Sequence, residues 1–132
     1  MSQQPVIYYQ ARVDCGFPSP AQDYVSEPIS LDALLSLRSP SVYLVTASGS
    51  SMEGVGIYDG DYLVVDRSLE PKIGSVLVVN VDGALMVKRY ITSNGIPVLS
   101  SANPDYPDFP FSEFNEVCVW GVVTHSIRRH EQ

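Results

Sequence analysis

From Ser41 onward, the chain alternates between short runs rich in β-branched and aromatic residues and turns rich in glycine and aspartate. Asp82-Gly83 separates two such runs, and an Asp-Gly pair between strands is among the strongest indications of a tight β-hairpin. The same reading predicts the following strands: Val42–Ala47, Tyr62–Asp66, Ser75–Val81, Ala84–Ile91, Ile96–Leu99 and Val117–Ile127. The pattern therefore predicts a mostly β domain of antiparallel sheets.

One short helix is predicted before these strands. Leucines at helical spacing follow Ser30, a suitable N-cap, and Pro40 ends the segment. Upstream, the stretch 15–20 has no period and holds two prolines, so we expect it to form no regular ladder. The predicted boundaries are residues 1–28 for a flexible N-terminal arm and residues 29–132 for the β-rich domain.

Charge and hydropathy exclude some classes of function. The formal net charge of −7 works against direct DNA binding, because a DNA-binding surface needs cations that displace phosphate counterions. No apolar run approaches the roughly 20 residues that cross a bilayer, and the start of the chain lacks the features of a secretory signal. We expect a cytoplasmic protein that has no membrane association and acts near DNA only through other proteins.

The two cysteines, Cys15 and Cys118, have no metal-ligand spacing and are a poor basis for a disulfide framework. We expect reduced thiols, with Cys118 buried as an apolar side chain and without a role. No metal site and no cofactor are predicted.

A serine-rich loop is the first candidate for chemistry. Ala47-Ser-Gly-Ser-Ser-Met follows an apolar strand, so a serine here would be exposed at the end of a rigid element. Its small residues leave room for a substrate backbone, and Gly49 permits unusual dihedral angles. From the residues alone, an ordinary Ser/Gly loop explains the segment at least as well.

A nucleophilic serine needs a base, and the chain offers two lysines and two histidines. Lys72 lies in a Pro/Gly turn and should be solvated. Lys88 lies within an apolar strand, where burial would lower its pKa and allow a neutral amine to act as a base. A lysine paired with a carboxylate or reaching solvent fits the residues too, and a triad that uses His125 stays open, whereas His130 is near the end of the chain.

Four segments together resemble the LexA/UmuD-type self-cleaving serine–lysine peptidase family. Three of them are Ser48-Gly-Ser-Ser-Met, Asp59-Gly-Asp-Tyr-Leu-Val-Val-Asp, and Asp82-Gly followed after four residues by Lys88. The fourth, Cys15-Gly-Phe-Pro-Ser-Pro-Ala-x-Asp-Tyr-Val, resembles the cleavage region of the UmuD branch. The resemblance runs from about Cys15 to about His125 and implies the strongly curved antiparallel sheets of that catalytic domain.

The resemblance also implies roles for individual residues. Ser51 corresponds to the nucleophile, Lys88 to the general base, and Cys15–Gly16 to the bond that the protein cleaves in itself. Backbone N–H groups of Ser50 and Ser51 are the expected oxyanion donors. Ser50 departs from the pattern, since relatives often carry an acidic residue there.

The biological role implied is that of a bacterial SOS mutagenesis protein. A RecA–ssDNA filament would stimulate self-cleavage, and the trimmed homodimer would then serve a UmuC-like Y-family polymerase in error-prone translesion synthesis, with the sliding clamp as a further candidate partner. The acidic charge and the lack of room for a DNA-binding domain favour UmuD over a repressor. The alternatives are a non-catalytic interaction module, a repressor-type peptidase domain without its DNA-binding part, and a signal-peptidase relative.

Overall fold

The computed structural model describes residues 6–10, 12–17, 25–110 and 117–131. The chain divides into two units, residues 1–38 and residues 39–132. Part of the predicted cleavage motif, residues 18–24, lies outside the described residues. The predicted functional boundary between residues 28 and 29 stays a prediction.

The first unit contains a β-hairpin that the sequence did not predict. Strand β1 (Val6–Tyr9) pairs antiparallel with β2 (Ser26–Ile29), and Pro28 in β2 lies opposite Ile7. A proline is tolerated here because each strand of a two-stranded sheet has a free edge that needs no N–H donor. The hairpin brackets the stretch that contains Cys15 and Gly16.

Helix α1 (Leu31–Leu34) follows β2 directly. As predicted, Ser30 is its N-cap, and the Ser30 hydroxyl accepts a hydrogen bond of 3.3 Å from the backbone N–H of Ala33. The helix has a single turn, so it is shorter than the leucine pattern predicted. Leu34 is exposed in this unit.

The second unit contains one antiparallel sheet with the strand order β3-β4-β9-β5-β6-β7-β8 among the described residues. Its strands are β3 (Val42–Thr46), β4 (Tyr62–Asp66), β5 (Val76–Val81), β6 (Ala84–Ser93), β7 (Ile96–Ser100), β8 (Phe109–Pro110) and β9 (Val117–Ile127). Six of these agree with the predicted strands to within about two residues, and β8 was not predicted. The mostly β, antiparallel fold with one short helix is confirmed within the described part of the chain.

β9, which comes last in the sequence, lies inside the sheet and not at its edge. β9 pairs with β4 on one side and with β5 on the other, and its register shifts between Val64 and Val65 and again between Val78 and Val79. Register shifts of this kind bend a strand and increase its twist. The β5–β6 turn is the predicted hairpin: both Asp82 and Gly83 have positive φ, as a type I′ turn requires.

Buried side chains lie on both faces of β5. Val78 belongs to one apolar cluster, which also contains residues of β4 and of the β3–β4 loop. Its neighbours Leu77 and Val79 belong to a second cluster, with Leu99 of β7. Because successive strand residues point to opposite faces, β5 is covered on both sides and forms the rigid centre of the unit.

Candidate active site

Ser51 lies in the connection between β3 and β4, residues 47–61, which we call the Ser51 loop. Two backbone hydrogen bonds of 2.8 Å close its base: the N–H of Ala47 donates to the carbonyl of Asp61, and the N–H of Gly60 donates to the carbonyl of Ala47. The two ends of the loop are therefore held together where the β3–β4 strand pair ends.

Inside the loop, apolar anchors and one carboxylate fix the backbone near Ser51. Met52 and Ile57 are buried in the first apolar cluster, while Ser51 is half-buried. Gly49 has a φ of +95°, which favours glycine, and its N–H donates to Asp59 Oδ1 at 2.8 Å. Ser51 thus follows the turn at Gly49, which the Asp59 side chain supports, and precedes Met52, which is buried in the core.

Lys88 lies in the middle of β6, opposite Leu77 of β5. Its side chain is only 3% exposed, so the burial that an apolar strand position allowed is what the structure shows. Burial lowers the pKa of Lys88, because an ammonium ion loses hydration, and the Asp108 carboxylate partly opposes this by raising the pKa. Lys88 Nζ donates to Ser101 Oγ at 2.6 Å.

One cavity of about 340 Å³ brings the two predicted catalytic residues together. Ser51 and Met52 line it from the Ser51 loop, and Lys88 lines it from β6. Val45 and Val78 contribute to an apolar wall. A serine hydroxyl and a lysine with a lowered pKa at the wall of one apolar cavity are the parts that a Ser–Lys dyad requires.

The predicted cleavage site lies in the first unit. Cys15 and Gly16 are exposed, as are their neighbours Val13 and Phe17, at 86% and 88%. The segment is irregular, and no atom of the described residues lies within 4 Å of the position that a Cβ on Gly16 would occupy. This stretch of backbone has the openness that a peptidase substrate needs.

The remaining candidate bases do not line the cavity with Ser51. Lys72 is exposed in its turn, as predicted. His125 is exposed in β9, where its Nδ1 lies 2.9 Å from the Thr124 hydroxyl, and His130 is exposed beyond that strand.

The prediction of a buried Cys118 is wrong, because this thiol is exposed. It lies opposite Asn80, close to the register shift in the β5–β9 pairing, where simple alternation of buried and exposed positions fails. Both cysteines are free thiols.

An ion pair between the Ser51 loop and Arg128, which follows β9, was not predicted from the sequence. Arg128 donates from Nε to Asp61 Oδ1 at 3.1 Å and from Nη2 to Asp61 Oδ2 at 3.2 Å. Its Nη2 also donates to the carbonyl of Gly56 at 2.7 Å, and its guanidinium stacks 3.7 Å from the ring centre of Tyr58. Hydrogen bonding from Arg128 lowers the pKa of Asp61, which keeps this buried carboxylate ionised.

The segment that follows β7 also contacts both predicted catalytic elements. Ser101 meets Lys88, and Asn103 Nδ2 donates to the carbonyl of Ser50 at 3.0 Å. A pairing between residues so far apart in sequence leaves no local pattern, although the position of Ser101 at the end of a strand next to the lysine strand is a signal that a strand-order prediction could have used.

Comparison with known proteins identifies the class of this site. The family model described as Peptidase S24-like matches residues 5–124. The chain belongs to the S24-like peptidase family. The predicted resemblance and enzyme class are thereby confirmed: this is a UmuD-like, self-cleaving serine peptidase.

Individual relatives match over most of the chain. Protein MucA of Salmonella typhimurium is 41% identical over 124 residues, which cover 93% of this chain and 84% of MucA. Protein ImpA of Shigella flexneri is 37% identical over 118 residues, covering 89% of this chain and 80% of ImpA. The LexA repressor of Bordetella pertussis is 31% identical over 125 residues, covering 95% of this chain and 57% of the repressor.

Within residues 6–10, 12–17, 25–110 and 117–131, no group of three or more His, Cys, Asp or Glu side chains is placed to hold a metal ion. No helix in the same ranges is long and apolar enough to span a membrane.

Proposed function

We propose that this S24-like peptidase cleaves its own Cys15–Gly16 bond, with Ser51 as the nucleophile and Lys88 as the general base. The observation that carries the proposal is the shared cavity, which a half-buried Ser51 and a buried Lys88 both line. The lowered pKa of Lys88 supports it, since a neutral amine can accept a proton near neutral pH.

The reaction proceeds by acyl transfer. Neutral Lys88 takes the proton of the Ser51 hydroxyl as Oγ attacks the carbonyl carbon of Cys15, which gives a tetrahedral oxyanion. The oxyanion collapses to an ester between Cys15 and Ser51, and the amine of Gly16 leaves with the proton returned by Lys88. A water molecule that gives a proton to Lys88 then hydrolyses the ester and restores the Ser51 hydroxyl.

The substrate segment has suitable chemistry on both sides of the bond. Gly16 has no side chain, so the Cys15 carbonyl can approach Ser51 closely, and Cys15 is small enough for a narrow pocket. Val13 supplies an apolar side chain for a shallow subsite. For the oxyanion we propose the backbone N–H groups of Ser50 and Ser51, in the turn that Gly49 and Asp59 shape.

The biological role that we propose follows the UmuD branch of the family. A homodimer in the bacterial cytoplasm is cleaved slowly until a RecA–ssDNA filament favours the cleavable pose of the arm. The product, residues 16–132, then serves a UmuC-like Y-family polymerase, and the sliding clamp is a further partner. The high identity to MucA and ImpA over most of both chains supports this assignment over that of a repressor.

The deciding experiment is intact-mass spectrometry of the purified protein during incubation at alkaline pH and, separately, with a RecA–ssDNA filament. The wild type should lose residues 1–15 in both conditions, and Ser51→Ala should stay intact in both. Ser48→Ala is the matched control, because Ser48 is an exposed serine that also lines the cavity. Cleavage at Cys15–Gly16 that persists in Ser51→Ala would exclude the proposed nucleophile.

The polymerase role is tested with the cleaved product. Primer extension past a template lesion by a UmuC-type polymerase should depend on added residues 16–132 and should be weaker with uncleaved Ser51→Ala. Equal extension with either form would show that cleavage does not activate this partner.

A further inference from the structure

The base of the proposed dyad has a buried partner. Lys88 Nζ and Ser101 Oγ are 2.6 Å apart, with the residues only 3% and 5% exposed. A lysine side chain has four rotatable bonds, so burial in an apolar cavity does not by itself fix where its nitrogen points. A hydrogen bond to a buried hydroxyl just beyond the end of β7 restricts it.

We propose that Ser101 is a positioning residue for Lys88. The segment that Ser101 begins, residues 101–106, holds the Lys88 amine and the Ser51 loop at a fixed position relative to each other. This inference rests on the proposed Ser51–Lys88 dyad and goes beyond it. A neutral amine has two N–H donors and one lone pair. When Ser101 Oγ accepts one N–H, rotation about the last bond is restricted and the lone pair is confined to the two remaining staggered positions.

The same segment contacts the Ser51 loop at three further points. The carbonyl of Ala102 accepts from the N–H of Gly54 at 2.5 Å. Asn103 Nδ2 donates to the carbonyl of Ser50 at 3.0 Å, and the Tyr106 hydroxyl lies 3.2 Å from the Ser50 hydroxyl. Six residues thus connect the strand that carries the base to the turn that carries the nucleophile.

A hydroxyl suits this position better than a carboxylate would. A charged acceptor beside Nζ would stabilise the ammonium ion and hold the base in its protonated form. The Asp108 carboxylate already raises the pKa of Lys88 against the effect of burial. The neutral Ser101 orients the nitrogen and adds no full charge to the site.

The test compares Ser101→Ala with Ser101→Thr in the full-length chain. The pH profile of self-cleavage should show a plateau that falls by roughly 10- to 100-fold in Ser101→Ala, the scale expected when a catalytic group is misplaced by about 1 Å. The midpoint should move to lower pH, because loss of the acceptor disfavours the ammonium ion. Threonine keeps the hydroxyl and should restore both values. Ser93→Ala is the matched control, because Ser93 is an exposed serine of β6 that does not line the cavity, and it should keep the wild-type plateau and midpoint.

A second measurement is independent of cleavage. The chain has two lysines, so lysine labelled with ¹³C at Cε gives two side-chain resonances, and Lys72→Arg identifies the one from Lys88. In a Ser51→Ala background, which keeps the chain intact, Ser101→Ala should lower the titration midpoint of Lys88. Circular dichroism melting of each variant shows that the fold is retained.

The outcomes separate this inference from the proposed function. If Ser101→Ala folds, cleaves with the wild-type plateau and leaves the Lys88 titration unmoved, Ser101 does not position the base, although the dyad stands. Equal loss of rate in Ser101→Ala and Ser101→Thr would also overturn the inference, because the hydroxyl would not be the active group. Cleavage that survives Ser51→Ala would instead remove the dyad itself.

Discussion

Lys88 and Ser51 line the same cavity, but different kinds of structure hold them in place. Lys88 is carried by β6, which pairs with β5 on one side and β7 on the other. Ser51 is carried by a loop between two strands, where side chains bond to backbone and one segment from elsewhere in the chain braces the turn. The sheet supplies the position of the base, and a few specific contacts supply the position of the nucleophile.

This difference predicts whether a substitution mainly lowers the stability of the fold or mainly lowers the rate of self-cleavage. A change in the packing of the sheet disturbs many ladder and core contacts and should appear first as lost stability. A change in a contact of the Ser51 loop leaves the ladder intact and should appear first as lost cleavage. Variants in the sheet and variants in the Ser51 loop test this difference.

The largest effect is expected at Lys88 itself. Lys88→Met keeps an apolar chain of similar length and removes the base, so self-cleavage should fall by at least about 10²–10⁴-fold, the usual contribution of general base catalysis. The same variant should melt at a higher temperature near neutral pH, because burial lowers the pKa of Lys88 and therefore makes the charged form costly in the folded state. Intact mass and a melting curve measure the two effects.

The lowered pKa of Lys88 also predicts the direction in which stability changes with pH. The folded-state pKa of Lys88 lies below its unfolded value, so the folded protein gains stability relative to the unfolded chain as pH rises through the folded pKa. The difference in melting temperature between Lys88→Met and the wild type should therefore shrink as pH rises, while the wild-type cleavage rate increases over the same pH range. Lys72→Met, at an exposed turn, should change neither quantity. A flat wild-type rate profile would argue against a lysine base.

Arg128→Ala should produce the next largest effect, because it acts on the Ser51 loop through a buried carboxylate. Asp61 is 2% exposed, and without Arg128 its charge would lose its bidentate partner. Gly56 would lose a carbonyl contact at the same time. We expect a lower melting temperature and slower cleavage, with only partial rescue by Arg128→Lys, since an ammonium group cannot make the bidentate contact.

Acid sensitivity checks the same pair. The pKa of Asp61 is lowered in the folded state, so its contribution to stability is present above the unfolded value of about 3.9 and is lost as pH falls through the folded pKa. In Arg128→Ala, this loss should begin at higher pH, while Asp66, whose pKa is lowered by Ser68 and Ser41, contributes as before. Arg129→Ala removes an exposed pair with Glu131 and should leave the loss of stability at low pH unchanged. If melting temperature falls with pH in the same way in Arg128→Ala and in the wild type, Arg128 does not keep Asp61 ionised.

Sequence patterns predicted the sheet well because its strands carry local signals. The Asp82-Gly83 turn specifies its own hairpin, and the apolar run around Lys88 indicates a buried strand without knowledge of its neighbours. The family motif added Ser51, which local composition did not distinguish from the other serines of its loop.

The parts that the sequence did not predict are those that depend on distant partners. Nothing near Ser101 indicates that its hydroxyl meets Lys88, and Asp61 and Arg128 lie 67 residues apart. The β1–β2 hairpin was missed because a long connection and Pro28 hide its pairing. Cys118 was expected in the interior as an apolar side chain, but it lies close to the register shift in β9 and is exposed.

Two glycines allow a direct comparison of loop and sheet. A Cβ on Gly121 of β9 would lie 2.5 Å from Val65 Cγ1, so Gly121→Ala should overpack the core and cost about 1–3 kcal/mol of stability. A Cβ on Gly54 would press against the Ala102 carbonyl, so Gly54→Ala should push the Ser51 loop away from residues 101–106. We expect Gly121→Ala to show the larger loss of melting temperature and Gly54→Ala the larger loss of cleavage rate. The reverse pattern would break the division between sheet and loop.

The smallest effect is expected at Asp59, which supports the turn before Ser51 from an exposed position. Its Oδ1 accepts the N–H of Gly49 at 2.8 Å, and this bond helps to set the direction of the backbone N–H groups that we propose as oxyanion donors. Asp59→Ala should slow cleavage several-fold at every pH and lower the melting temperature by only a few °C, because a solvated hydrogen bond adds only about 0.5–1.5 kcal/mol. Asp59→Asn keeps an acceptor oxygen and should recover most of the rate, and Glu70→Ala, at another exposed carboxylate, should have no effect. If Asp59→Ala lowers stability as much as Gly121→Ala does, the Ser51 loop is part of the folding core, and the nucleophile is held in the same way as the base.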